Sequence, residues 1–386
     1  MNDYSIVAAI FWLSCIVLLC VYVLYPRLMK VAAARFGRPV SRLDAPPPIS
    51  IIVTAYNEEK GIAAKLENIL ASRSAADLVE IIVASDASSD STDEIVRSYE
   101  PHRVRLLRIE GRQGKTACQN AAAAAAAAKG EILIFTDATT RLHPDALSNL
   151  GTWFADRDVG AVAGRLVYQS HTENATGQGN EAYWDYEIKL RLAESALGSL
   201  IGVSGCLYAV RRSAYRPIDP RLISDFVISM RMREQGLRTV LAPDALCFEE
   251  TLSRSGHELS MRVRVAIRSI NALFCERKFL NPLRFGLFAW QLWLHKVLRY
   301  ASPFLWLAAL ASNIVLARVA PLYVALLAAQ LMVIVMGALG FVLHARESHL
   351  KFLWRPYYLL LTNVASFIAA LRYARGERMV TWKPMR

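Results

Sequence analysis

The sequence predicts an α/β fold, a mainly parallel sheet with helices on both faces, joined to membrane-spanning helices. Three observations predict it. Short β-branched runs alternate with helix-like segments from Ile49 onward, carboxylates fall at the ends of those runs, and uncharged stretches of bilayer length stand on either side.

Ser5 to Leu24 is uncharged and has about the 20 residues that cross a hydrocarbon core. Met1-Asn2-Asp3-Tyr4 lacks the positive n-region of a secretory signal, while Arg27, Lys30, Arg35, Arg38 and Arg42 follow. The segment therefore reads as a retained anchor whose C-terminal side is cytoplasmic. Pro46-Pro47-Pro48 marks the boundary of a folded domain, because three fixed φ values favour an extended linker.

Beyond that boundary, Ile49 to Ala55, Val79 to Ser85, Val104 to Ile109 and Glu131 to Thr136 read as strands. Helix-like segments begin near Glu58, Ser91 and Lys115. This βαβ order places a ligand crevice at the carboxyl ends of the strands. The alanine run Ala121 to Ala128 reads as a smooth helix that packs closely on the sheet.

Two further spans, Tyr300 to Ala317 and Pro321 to Leu343, are joined so tightly that they form a hairpin, with basic stretches at both outer ends. Residues 356–370 are shorter, contain Asn363 and precede a basic tail, so they read as re-entrant or interfacial. The expected organisation is an anchor over 1–26, a cytosolic domain over 46–284, and an interface helix, hairpin, interfacial segment and cytosolic tail over 285–386. That describes a multi-pass protein of the inner (cytoplasmic) membrane.

The net charge of +12 does not point to nucleic acid, because the positive residues cluster beside apolar segments, where anionic lipid headgroups attract them. Cys15 and Cys20 lie inside the first span, and Cys118, Cys206, Cys247 and Cys275 lack metal-type spacing, which fits reduced cytosolic thiols.

Thr54-Ala55-Tyr56-Asn57-Glu58 follows the first strand where a dinucleotide-binding protein would carry its glycines, and they are absent. Tyr56 offers a ring to stack on a base and Glu58 an acceptor for a ring N–H; an ordinary acidic helix N-terminus is the plainer alternative. Asp86 ends the second strand ahead of a helix cap at Asp90 or Ser91. Gly111-Arg112-Gln113-Gly114-Lys115 offers amides and a cation to a diphosphate without the spacing of a Walker loop. Asp137, in Asp137-Ala138-Thr139, stands at a strand end where a carboxylate would hold a divalent cation, Mg²⁺ or Mn²⁺, against the diphosphate of a leaving group. Asp225 opens a helix-like segment as either a general base or a plain N-cap. Asn180 to Glu187 has the aromatic and acidic content of a sugar subsite, although aromatics at helical spacing more often form a core.

With these clusters in order, most of residues 46 to 300 resembles glycosyltransferase family 2, the inverting GT-A enzymes with a Rossmann-like mixed sheet, and above all its membrane-embedded cellulose, chitin-oligosaccharide and hyaluronan synthases. The nucleotide motif matches Ala55-Tyr56-Asn57-Glu58, the second-strand aspartate Asp86, and the DxD metal motif Asp137-Ala138-Thr139. The acceptor-loop glycine and its arginines match Gly205, Arg211 and Arg212, and the TED base motif matches Ile223-Ser224-Asp225. Three departures stand out: Thr139 replaces an aspartate, Ser224 replaces a glutamate, and Leu259-Ser260-Met261-Arg262-Val263 stands where polymerising members carry QxxRW. Arg262 keeps the diphosphate cation, but without the tryptophan processive polymerisation is in question. Val380-Thr381-Trp382-Lys383 is similar to the gating loop of cellulose synthases, with an interfacial anchor as the alternative for Trp382.

The resemblance implies inverting transfer from a UDP-sugar donor to a saccharide or lipid-linked acceptor at the bilayer. Asp225 would be the base, Asp137 with Thr139 the metal site, and Ala55, Tyr56, Glu58, Asp86, Lys115, Gly205, Arg262 and Trp382 the substrate contacts. A private export channel is hard to build from so few spans, which leaves self-association into a homo-oligomer open.

Overall fold

A computed structural model of the chain describes residues 3–73, 78–125, 129–169, 175–250, 255–344 and 353–379. They fall into two compact units. One is built on a sheet and lies within Ala33–Gln169 and Arg191–Glu250; the other is helical and lies within Met1–Ala32, Ser170–Leu190 and Thr251–Glu377.

The strands of the sheet unit are β1 (Ile49–Ala55), β2 (Leu78–Asp86), β3 (Val104–Ile109), β4 (Ile132–Asp137), β5 (Arg141–Leu142), β6 (Val159–Gln169), β7 (Leu207–Arg211) and β8 (Arg238–Glu250). They form one sheet in the order β3-β2-β1-β4-β7-β6-β8-β5. β3, β2, β1 and β4 run parallel, β7 runs antiparallel between β4 and β6, and β6 is parallel to β8, so the sheet is mixed.

Every residue of β1 is buried, as a strand covered on both faces requires. Ile62, Leu66 and Ile69 of the helix Ile62–Leu70 join Ile51, Val53, Ile81 and Ile134 in the main core. On the helix Lys115–Ala125, Ala117, Cys118, Ala122 and Ala123 are buried, and small side chains let it approach β1 and β2 closely. β1 leads outward to β2 and β3 on one side and meets β4 on the other, so the strand order reverses between β1 and β4. Ligand crevices open at such a point, beyond the carboxyl ends of the strands. Thr54 pairs with Asp137 across it.

Arg42, expected beside lipid headgroups, is held within the sheet unit. It donates to Asp244 at 2.6 Å and lies 4.5 Å over the Trp153 ring, while the Leu43 N–H donates to the Thr152 carbonyl at 2.8 Å.

In the helical unit, Tyr4–Phe36 and Pro321–Leu343 are long and apolar enough to cross a membrane. The expected span at 300–317 forms the helix Leu298–Leu316, which is less apolar because it carries Arg299, Ser302, Ser312 and Asn313. Residues 356–370 lie in the helix Trp354–Ala374. Two of the prolines in these helices each follow a π turn: Pro26 after Cys20–Leu24 and Pro303 after Trp293–Val297. Proline has no N–H to give the ladder, and a widened turn is one way for the chain to accommodate it.

Glu187 lies buried in this unit, accepting from Arg299 at 2.5 Å with its other oxygen 3.1 Å from His295 Nε2. Burial pushes its carboxyl up, but Arg299 and then His295 outweigh that and hold it well below the usual carboxylate range. Tyr186 donates its hydroxyl to the Tyr22 carbonyl at 3.2 Å. Within the segment 180–187, both residues thus belong to a buried polar network.

Ile134 is fully buried at the centre of the sheet. Ile134→Ala is expected to cost about 2–5 kcal/mol and to lower the thermal midpoint of the full chain in detergent by roughly 5 °C or more. An unchanged midpoint would contradict the packing of β4.

Candidate active site

The turns that follow β1 and β2 are knitted together. Asn57 and Ala87 both adopt left-handed backbone, at φ 52° and 55°, which asparagine tolerates better than most residues. The Asn57 side chain accepts from the Ser89 N–H at 2.8 Å, the Asn57 N–H donates to the Ser88 hydroxyl at 3.1 Å, and the Glu58 N–H donates to the Thr92 hydroxyl at 2.8 Å. Ala55 is buried at the end of β1, with Tyr56 and Glu58 half-buried beyond it. The Arg112 guanidinium lies over the Tyr56 ring, 3.4 Å from its centroid.

Asp86 is fully buried. Its carboxylate accepts from the Gln113 N–H at 2.8 Å and the Gly114 N–H at 3.1 Å, and Arg112 Nε approaches it at 3.4 Å. Gly111 and Gly114 have φ of 69° and 92°, a turn that only glycine makes without strain. In this structure the loop amides anticipated for a diphosphate therefore serve Asp86, which fixes the loop that delivers Lys115.

Lys115 opens its helix and forms an ion pair with Asp137 at the end of β4. Its ammonium also donates to the Gly205 carbonyl at 3.1 Å. Burial lowers the affinity of this amine for its proton, but Asp137 and then Asp225 outweigh the penalty and raise it. Gly205 leaves no room for a side chain: an added Cβ would sit 2.7 Å from the Asp225 carboxylate and 3.1 Å from the Lys115 ammonium. Asp225 is the second residue of the helix Ser224–Glu234, whose N-cap is Ile223, so it does not act as the cap. Thr139 is exposed in the turn after β4. Lys115, Asp137, Gly205 and Asp225 thus meet at one place, with Asp86 bracing the loop beside it.

Arg211 and Arg212 stand elsewhere in the sheet unit. Arg211 pairs with Ile132 at the opposite end of β4 from Asp137 and donates to the Phe154 carbonyl at 3.0 Å, so it ties chain segments at the other end of the strands. Arg212 follows it there. Arg262 belongs to the helical unit, on the helix Ser255–Cys275, bonded to Glu258 at 2.8 Å with its guanidinium 5.5 Å from the Tyr358 ring. Trp382 lies outside the described residues.

Three further residues frame the site. The Thr54 hydroxyl is buried with no hydrogen-bond partner among the described residues. Lys65 is buried beneath β4, and burial pulls its amine down to about 7. Glu249 lies near the end of β8, 3.7 Å from the Cys206 thiol. Burial, and then Asp137, push its carboxyl up. Lys65 was legible as a lysine on the apolar stripe Ile62, Leu66, Ile69; Thr54 and Glu249 gave no comparable signal.

A reversed strand order with acidic strand ends around one lysine is the GT-A arrangement of nucleotide-diphospho-sugar transferases. The chain aligns structurally with the mannosyltransferase PcManGT of Pyrobaculum calidifontis, solved in complex with GDP-Man and Mn²⁺. The TM-score is 0.69 over 96% of this chain and 100% of that one, at 23% identity, a likeness of fold. Residues 50–218, most of the sheet unit, match the model of Glycosyl transferase family 2. An N-acetylglucosaminyltransferase of Mesorhizobium japonicum is 24% identical over 65% of this chain and 64% of its own length. A beta-monoglucosyldiacylglycerol synthase of Trichormus variabilis is 28% identical over 44% of this chain and 36% of its own. The chain thus spans less than two thirds of the length of these curated relatives.

The raised carboxyl of Glu249 has a stability signature. Its folded value exceeds its unfolded one, so its contribution is complete below about pH 4 and is lost as pH rises through the folded value. Glu249→Gln removes that loss, and its thermal midpoint should gain on the parent between about pH 4 and pH 7. Parallel pH profiles for the two proteins would show that burial and Asp137 do not raise the Glu249 carboxyl.

Proposed function

We propose that the protein is a membrane-bound, inverting hexosyltransferase that moves a sugar from a UDP-sugar to a saccharide acceptor in polysaccharide or oligosaccharide synthesis. The observation that carries this reading is the meeting of Lys115, Asp137 and Asp225 around Gly205 in a family 2 domain. The two long apolar helices and the basic residues after the first support a place in the cytoplasmic membrane with the catalytic domain in the cytosol.

Asp225 takes the proton from an acceptor hydroxyl, whose oxygen attacks the anomeric carbon as UDP departs from the opposite face. Lys115 offsets charge on the departing diphosphate. Tyr56, Glu58 and Thr54 line the nucleoside side, and Arg112 must leave the face of Tyr56 for a base to stack there. Gly205 keeps the space beside Asp225 open to the acceptor. These are mainly effects of positioning and of charge placed in advance.

The carboxylate of Asp137 and the exposed hydroxyl of Thr139 are hard oxygen donors, suited to Mg²⁺ or Mn²⁺. Among the described residues no three acidic, histidine or cysteine side chains gather as a cage, which suits an ion that draws its remaining ligands from water and the diphosphate. When bound, the ion would neutralise charge on the leaving group.

A lipid acceptor is the second reading, favoured by the likeness to the glucosyldiacylglycerol synthase. Product partition between organic and aqueous phases separates the two, with purified protein, a panel of UDP-sugars and GDP-Man as the comparison donor.

Asp225→Asn should lower transfer by about 10²–10⁴-fold while leaving UDP affinity unchanged, as read by UDP release and by calorimetry. Equal transfer by the variant would remove Asp225 from the mechanism. Asp137→Ala should abolish the gain in UDP-sugar affinity that Mn²⁺ confers, and a persistent gain in calorimetry would refute the metal assignment.

A further inference from the structure

Lys65 is 3% exposed on the helix Ile62–Leu70, flanked by the fully buried Ile62, Leu66 and Ile69. Leucine or methionine would satisfy that stripe without taking an ammonium out of water, which costs heavily unless every N–H is bonded. Here every N–H has an acceptor. Lys65 Nζ donates to the Thr136 hydroxyl at 2.9 Å, the Thr140 carbonyl at 2.6 Å and the Thr140 hydroxyl at 3.3 Å. An ammonium has three donors, and three oxygens surround this one.

These oxygens stand on both sides of Asp137. The Thr136 hydroxyl also donates to the Cys206 carbonyl at 2.8 Å, next to the Gly205 that receives Lys115. The Thr140 hydroxyl lies 3.1 Å from the Asp137 carbonyl. One buried amine therefore ties the chain before Asp137, the chain after it and the Gly205–Cys206 turn into a single knot.

We propose that Lys65 is a positioning residue for the Asp137 carboxylate, fixing the Thr136–Thr140 segment and the Gly205 turn in the register that lets Asp137 hold a divalent ion against the donor diphosphate. The inference rests on the metal role given to Asp137 above. It assigns Lys65 no contact with ion or substrate.

The test uses the full chain in detergent and three readouts: Mn²⁺ affinity from the electron paramagnetic resonance of the free ion with UDP present, UDP affinity without metal from calorimetry, and the thermal midpoint. Lys65→Met keeps the length and removes the donors. It should weaken Mn²⁺ binding by about tenfold or more, the scale of outer-shell losses in metal sites, with metal-free UDP affinity within about twofold of the parent. Asn68→Ala is the control. It loosens the same helix by removing the bonds of Asn68 to the Leu142 N–H and carbonyl, at 2.7 and 3.0 Å, and should lower the midpoint while Mn²⁺ affinity stays within about twofold.

Parental Mn²⁺ affinity in Lys65→Met, or an equal loss in Asn68→Ala, overturns the proposal. Should Lys65→Met fail to fold, Thr140→Ala decides: a loss of about threefold supports the knot, and parental affinity overturns it. If Mn²⁺ leaves the parent's UDP affinity unchanged, the metal role of Asp137 fails first and the role of Lys65 falls with it.

Discussion

The site depends on one lysine standing between carboxylates. Asp137 and Asp225 come from the end of a strand and the first turn of a helix that are distant in sequence, and both act on the ammonium of Lys115. Lys115 lies between the two half-buried carboxylates and draws both toward Gly205. The loop that delivers Lys115 is fastened in turn to Asp86, so the third carboxylate acts on the other two through the backbone.

The surrounding fold keeps those groups in place by rigid means. Strands buried on both faces cannot slip by one residue without exchanging their two faces, so the ends of β1, β2 and β4 are fixed relative to one another. The polar residues after β1 and β2 bond across to each other, and in doing so they hold Tyr56 and Glu58 at the mouth of the crevice.

The strands of the parallel half were legible because β-branched runs bounded by turn residues have a pattern that survives without context. Ile49–Ala55 and Val104–Ile109 coincide with the observed elements, and the others differ by a residue at their ends. The antiparallel half was harder to read, since β5 is two residues long and β6 and β8 show no clean alternation. Candidate residues were legible where a strand end and a carboxylate coincide in sequence. Spacing could not say which groups answer one another over long separations: that Arg211 bonds chain at the opposite end of the strands, that the Gln113 and Gly114 amides turn to Asp86, or that Glu249 comes near Cys206. Lys65 shows the limit well. Its place on an apolar stripe is a local anomaly, but the threonines that explain it lie some seventy positions away.

The π turn at Cys20–Leu24 has a consequence for how the first helix can vary. Such a turn holds one residue more than an α turn, and a residue gained or lost rotates everything beyond it by about 100° about the axis. Arg27 and Lys30 are therefore set around the helix by this turn as well as by their distance from Asp3–Leu19, which is apolar all round. A single codon deleted there would swing those charges by more than a quarter of a circle and leave hydropathy, length and composition almost untouched.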